Sequence, residues 1–209
     1  MGRLMSLMGA RLTDATAVGA RCLAWEGDVS AAAQSVPLRL AGALHGLVID
    51  GTDAGLVAAY PPNPVDDEAL WAAVEAALIR HEARIMRWLD SAPQTNEVRR
   101  AAAIIAGLWW GVEQAGEMPI TLSELGASGG LNLSLDRFAL SMGRGLHGVP
   151  SSPVRLAPDW RGPFQKPQRL NVVARGGVDL NPLDPKTADG RLRLLADLWP
   201  GQPERLARA

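Results

Sequence analysis

Cysteine is almost absent from this 209-residue chain. Cys22 stands alone, which excludes an internal disulfide and any zinc site built from several thiolates. Histidine is scarce as well: His45, His81 and His147 lie far apart and form no His-x-x-x-His pattern. No charge of one sign dominates. The formal net charge is −1 and the arginines are dispersed, so the sequence carries no electrostatic footprint for nucleic acid. Long apolar runs are missing too. The longest uncharged one, "AAAIIAGLWWGV" (101–112), falls short of the ~20 residues that a membrane span requires. The start, "MGRLMSLMGARL", has neither the continuous apolar stretch nor the small-residue cleavage site of a secretory signal. It matches the Met-Gly-x-x-x-Ser pattern of myristoylation, a modification foreign to the bacterial character of an Ala/Arg/Gly-rich composition. The expectation is a soluble, cytoplasmic protein.

What is present is the balance of a folded globular chain, with 47% apolar and 21% charged residues. The first half reads as helices. Trp71, Val74, Leu78, His81, Ile85 and Trp88 recur at spacings of three and four, the stripe of one amphipathic helix opened by Asp66 and Asp67. His81 on that stripe reads as a core histidine bonded to a neighbour. A second helix carries Val98, Ala101, Ile105, Leu108 and Val112, with Thr95 or Asn96 as its cap and Gly116 as its stop. Trp109 and Trp110 are adjacent and cannot share a helix face, so one is expected in the core and one elsewhere.

The pattern changes near Pro119. "PITLSEL" is a short apolar strand that runs directly into glycines, and "LNLSLDRFAL" then resumes helical spacing. A short strand is expected at "SPVRL". "LNVVARGGVDLNPLD" reads as a strand, a Gly-Gly turn and a second short strand ending at Asp179, and the chain closes with one or two short helices over "GRLRLLADLWPGQPERLARA". The fold class is therefore α/β: a helical domain over 1–115, followed by an α/β domain over 116–209.

"ELGASGG" (124–130) supports three readings. In the first it is a ligand loop, because a strand, a glycine turn and a helix start aim backbone N–H groups at a ligand. Glu124, Gly126, Ala127, Ser128, Gly129 and Gly130 resemble the acid-x-Gly-x-Gly-x-Gly motif of S-adenosylmethionine-dependent methyltransferases, with Ser128 in place of the middle glycine. Asp179 is then the candidate ribose ligand, further along than the usual ~20 residues, and Asn181 is placed to bond within its turn. In the second reading Gly126 to Gly130 form the Gly-x-Ser-x-Gly elbow of a serine hydrolase with Ser128 as nucleophile. That arrangement wants an acid and then a histidine downstream, whereas His147 precedes Asp179. In the third, small residues simply let strand and helix pack closely. Glu97 and Arg99, with Asn96 and Arg100, are polar helix-start residues with the option of facing the loop, and Asn132 and Asp136, one turn apart after it, either reach a ligand from the helix start or cap and solvate that helix.

Taken together, "QTNEVRRAA", "LSELGASGGLNLSLDRF", "SSPVRLAPDWRG", "VDLNPLD" and "LWPGQPERLARA" resemble the bacterial domain of unknown function 2332 (DUF2332). The resemblance implies no established reaction. It does imply a methyltransferase-like, Rossmann-like second domain with further strands and helices beyond Arg208, so that the α/β domain here is incomplete. The expected role is binding of S-adenosylmethionine or a related nucleoside, with methyl transfer by proximity and no general base to nominate. The alternative is a non-catalytic interaction module, completed by a partner or a second copy of the chain.

Overall fold

The structure, a computed structural model, describes residues 1–94, 97–143, 145–163 and 165–201. Along the chain run α1 (Gly2–Arg11), α2 (Ala17–Leu23), α3 (Val36–Ile49), α4 (Ala54–Ala59), α5 (Asp67–Arg80), α6 (Glu82–Leu89), α7 (Ala101–Ala115), β1 (Pro119–Leu125), β2 (Ala139–Met142), β3 (Gly145–Gly148), β4 (Arg155–Leu156), β5 (Asn171–Val178) and α8 (Ala188–Ala196). By packing they fall into two units. One holds the described residues of Met1–Thr95 and Pro185–Leu206, the other those of Asn96–Asp184. The coarse reading as a mixed helix and strand protein stands. The sequence-based division at Gly116 follows the change of secondary structure, whereas packing groups α7 with the strands and α8 with the early helices. Thr95 and Asn96, expected as a cap, and the end of the closing helical stretch lie outside the described residues.

The helical unit is built on α3, whose Leu40, Leu44 and Leu47 are buried with Leu4, Leu56, Leu70, Leu78, Ile85 and Leu89. Gly42 and Gly46, one turn apart, let the Trp88 indole of α6 lie directly on the α3 backbone; a Cβ on Gly46 would stand 2.9 Å from the ring. Side-chain caps start the helices as their residue types dictate: Thr16 on Gly19, Asp66 on Ala69, Thr187 on Gly190. The expected single helix through Trp88 is in fact two. The backbone leaves helical geometry at His81 (φ −114°, ψ 24°), where the ring Nε2 sits 2.9 Å from the buried Asp53 carboxylate. His81 is thus bonded to a neighbour, as its position on the stripe suggested, while being half-buried and not a core residue. Burial alone would raise the Asp53 pKa, but the Leu56 amide, His81 and Arg80 outweigh that and lower it.

In the second unit Val98, Ala101, Ile105 and Trp109 form one core with Leu122, Leu135, Phe138, Leu140 and Leu156. Trp109 is buried and Trp110 is exposed, as adjacency on a helix requires. β1 and β5 pair in parallel, with a shift of register between Ile120 and Thr121, while β3-β2-β4 form a second small sheet. β4 lies within the expected "SPVRL" strand. Two expectations are corrected. "NVVARGGV" is one continuous strand, because Gly176 and Gly177 pair in register with Ser123 and Glu124 instead of turning. The stretch after the glycine loop is a short 3-10 helix (Leu131–Arg137) followed by β2, not an α-helix. Arg175 donates to the Leu133 carbonyl at 2.8 Å, the acceptor that a continuing α-helix would use for its next turn.

Candidate functional site

β1 and β5 run in the same direction, so the residues that leave them emerge at the same end. Leu125 pairs with Val178, and the loop 126–130 and Asp179 follow side by side. Both the Gly126 and Ala127 N–H groups donate to the Val178 carbonyl, at 2.9 and 3.1 Å. The Ser128 N–H donates to Asp179 Oδ2 at 2.8 Å, and Gly130 N–H to the Ala127 carbonyl at 2.7 Å. Backbone φ is positive at Gly126 (72°), Ser128 (51°) and Gly130 (70°), so Ser128 adopts the left-handed geometry that favours glycine. Among the described residues, the Gly129 amide has no acceptor in the protein.

Asp179 therefore braces the loop. Its Oδ1 accepts the Asn181 N–H at 2.9 Å and its Oδ2 accepts the Ser128 N–H. The amides of Asn181 and Ser128, helped by that of Leu180, hold the carboxyl below its ordinary range, so it is ionised at neutral pH. Asn181 serves through its backbone. Leu125, Val178 and Leu180 are largely exposed at this end of the sheet.

Beneath the loop, Glu124 Oε1 accepts from Asn132 Nδ2 at 3.4 Å, while Glu124 Oε2 is buried with no hydrogen-bond partner. Asn132 itself is buried. Gly177, opposite Glu124, closes the construction. A Cβ there would lie 2.5 Å from the Ala127 methyl and 3.1 Å from Leu133 Cδ1. Local preference reads this glycine as a turn; the contrary signal is the β-branched Val172 and Val173 ahead of the glycines and Val178 directly after them. Asp136 pairs with Arg175 through two bonds, at 2.9 and 3.1 Å, tying the 3-10 helix to β5. Glu97 uses Oε1 to cap the turn at Arg99.

The hydrolase reading asks for a histidine ring on the Ser128 hydroxyl. His147 lies on β3 with its ring edge-on to Trp109, centroids 5.8 Å apart. No group of three His, Cys, Asp or Glu that could hold a metal ion occurs among the described residues. No helix of the described residues is long and apolar enough to cross a membrane. A family model described as an uncharacterised protein conserved in bacteria, DUF2332, matches residues 1–209. No curated protein and no solved structure matches the chain.

Proposed function

The chain belongs to the bacterial DUF2332 family, whose description names no reaction, and from the loop we propose that it binds S-adenosylmethionine or a related nucleoside at the ends of β1 and β5. The observation that carries this is the adjacency of the glycine loop and Asp179 across a parallel strand pair, the arrangement by which Rossmann-like domains take nucleosides. The fit is narrower than the motif alone would suggest. The amides of Gly126, Ala127, Ser128 and Gly130 are committed within the protein, which leaves Gly129 to meet the ligand's carboxylate end. The ionised Asp179 carboxylate is the group set to meet ribose hydroxyls, and the exposed Leu125, Val178 and Leu180 give an adenine ring apolar surface. Glu124 and Asn132 support the loop from below. A bound sulfonium would supply an electrophilic methyl group; the chain's part is to hold and orient.

Calorimetric titration with S-adenosylhomocysteine, on the wild type and on Asp179→Ala, tests the reading. Micromolar binding that is lost in a folded Asp179→Ala variant supports it. No heat of binding to a folded wild-type chain at high concentration refutes it.

One observation favours the interaction module. Thr121, Ser123 and Leu125 of β1, with Ala174, Gly176 and Val178 of β5, form an exposed sheet face, and Val173 at the register shift is exposed too. Parallel sheets are ordinarily covered on both faces. A mass that rises with concentration in sedimentation, and falls back in Val178→Lys, would support self-association through this face; a constant mass would count against it.

A further inference from the structure

In the helical unit, α3, α6 and α8 border an open cleft of about 610 Å3. Ile49, Leu192 and Leu195 give it apolar lining, with Trp88 beside them. On α6, Arg84, Arg87 and Trp88 sit at i, i+3 and i+4, and on α8, Ala188, Arg191, Leu192 and Leu195 repeat that spacing, so each helix turns one stripe to the cleft. The lining contains Arg84, Arg87, Arg191 and Arg193 against Asp50 and Asp189.

The charges do not cancel. Arg84 donates to Asp50 Oδ2 at 2.5 Å and to Thr52 Oγ1 at 3.1 Å, which neutralises one cation. Arg193 places its guanidinium over the Trp88 ring, 4.4 Å from the centroid, a cation–π contact that needs none of its N–H donors. Arg87 and Arg191 are exposed and have no ion-pair partner among the described residues. Three guanidinium groups thus face the single carboxylate of Asp189, with the buried Asp197 acting on Arg193 at longer range. This local excess of positive charge belongs to a chain whose net charge is −1.

We propose that this cleft binds a small ligand carrying two or more phosphate groups on an apolar body. Guanidinium forks match phosphate oxygens two at a time, and three of them spread over two helices offer donors enough for the oxygens of two linked phosphates. The volume lies within the ~300–1,000 Å3 range of small-molecule sites and leaves room for a body against Ile49, Leu192 and Leu195. The site is independent of the loop reading.

Inorganic pyrophosphate is the first probe, because it carries no nucleoside and so does not report on the loop. Isopentenyl diphosphate is the second. Saturable calorimetric binding of pyrophosphate, weakened at least tenfold in the Arg87→Ala/Arg191→Ala variant, and tighter binding of the alkyl diphosphate are expected. Both side chains are exposed, and circular dichroism of the variant checks that its helices persist. Absence of saturable binding of both probes to the wild type, equal binding by the double variant, or an alkyl diphosphate that binds no tighter than pyrophosphate would overturn the proposal.

Discussion

Asp197 should make the protein less stable at neutral pH than at pH 4, and replacing it should remove that penalty. The residue caps the C-terminal end of α8 and is 8% exposed. Its Oδ2 accepts the Gln94 N–H at 2.6 Å, but its Oδ1 is buried with no hydrogen-bond partner. Burial pushes the carboxyl up from the ordinary 3.8 to about 6, against the opposing pull of the Gln94 amide and the Arg193 charge. The folded chain therefore keeps this proton over a pH range in which the unfolded chain has released it. Below pH 3.8 both states are protonated and the group contributes no difference. As pH rises from there to about 6, stability falls, and above 6 the loss is complete. A displacement of about two units, at ~1.4 kcal/mol each, makes the loss about 3 kcal/mol. Asp197→Asn keeps an oxygen for the Gln94 amide and cannot ionise. Urea unfolding of both proteins at pH 4, 5, 6 and 7.5, followed by tryptophan fluorescence, isolates the effect, because every other titrating group is common to the two. The variant's advantage should grow from near zero at pH 4 to roughly 2–3 kcal/mol at pH 7.5. A difference that stays constant with pH, or that shrinks towards pH 7.5, would refute the reasoning.

Gly46→Ala places a methyl 2.9 Å from the buried Trp88 ring and should cost about 1–3 kcal/mol in urea unfolding; unchanged stability would mean that the indole does not rest on α3. Gly177→Ala sets two methyl groups 2.5 Å apart at Ala127, so it should destabilise the strand unit strongly, and adding Ala127→Gly should recover part of the loss in a double-mutant cycle. Independent, additive effects would show that the loop does not press on β5. The ring of His45 is buried, stacked on Tyr60 and bonded at Nδ1 to the Ala196 carbonyl at 2.9 Å; burial lowers its pKa despite that bond. The folded chain thus holds it neutral, and its contribution to stability is complete above pH 6.5 and is lost as pH falls towards the folded value. Its ring protons, followed by NMR, should titrate below 6.5, and a midpoint at or above 6.5 would contradict this.

Much of the fold is legible in local pattern. The stripe from Val74 to Trp88 found the apolar face of α5 and α6, Asp66 marked its start, and "PITLSEL" was a strand because a short apolar run before glycines has little else to be. The adjacency of Trp109 and Trp110 told that their surroundings must differ. Misreadings occurred wherever a distant partner decided the outcome. Two glycines in a row are a turn by local preference, but β1 offered them a parallel partner and Ala127 occupied the space that a side chain would need. The helical spacing after Leu131 was real, yet Arg175, some forty residues on, took the Leu133 carbonyl and Asp136 with it.

The candidate sites divide along the same line. The sequence alone determined that residues 126–130 form a tight loop of small residues after a strand, and that an aspartate follows a later strand, because turns and strands are governed by neighbours within a few positions. Only the tertiary structure decided that Asp179 holds the Ser128 amide, which depends on two strands distant in sequence lying parallel and in register. It also decided that Arg84 and Arg87 meet Arg191 and Arg193 around one cleft. Dispersed charge in a sequence carries no sign of where it will gather, because helices separated by a hundred residues are brought together by the burial of their apolar faces, and the charges on their other faces come along with them.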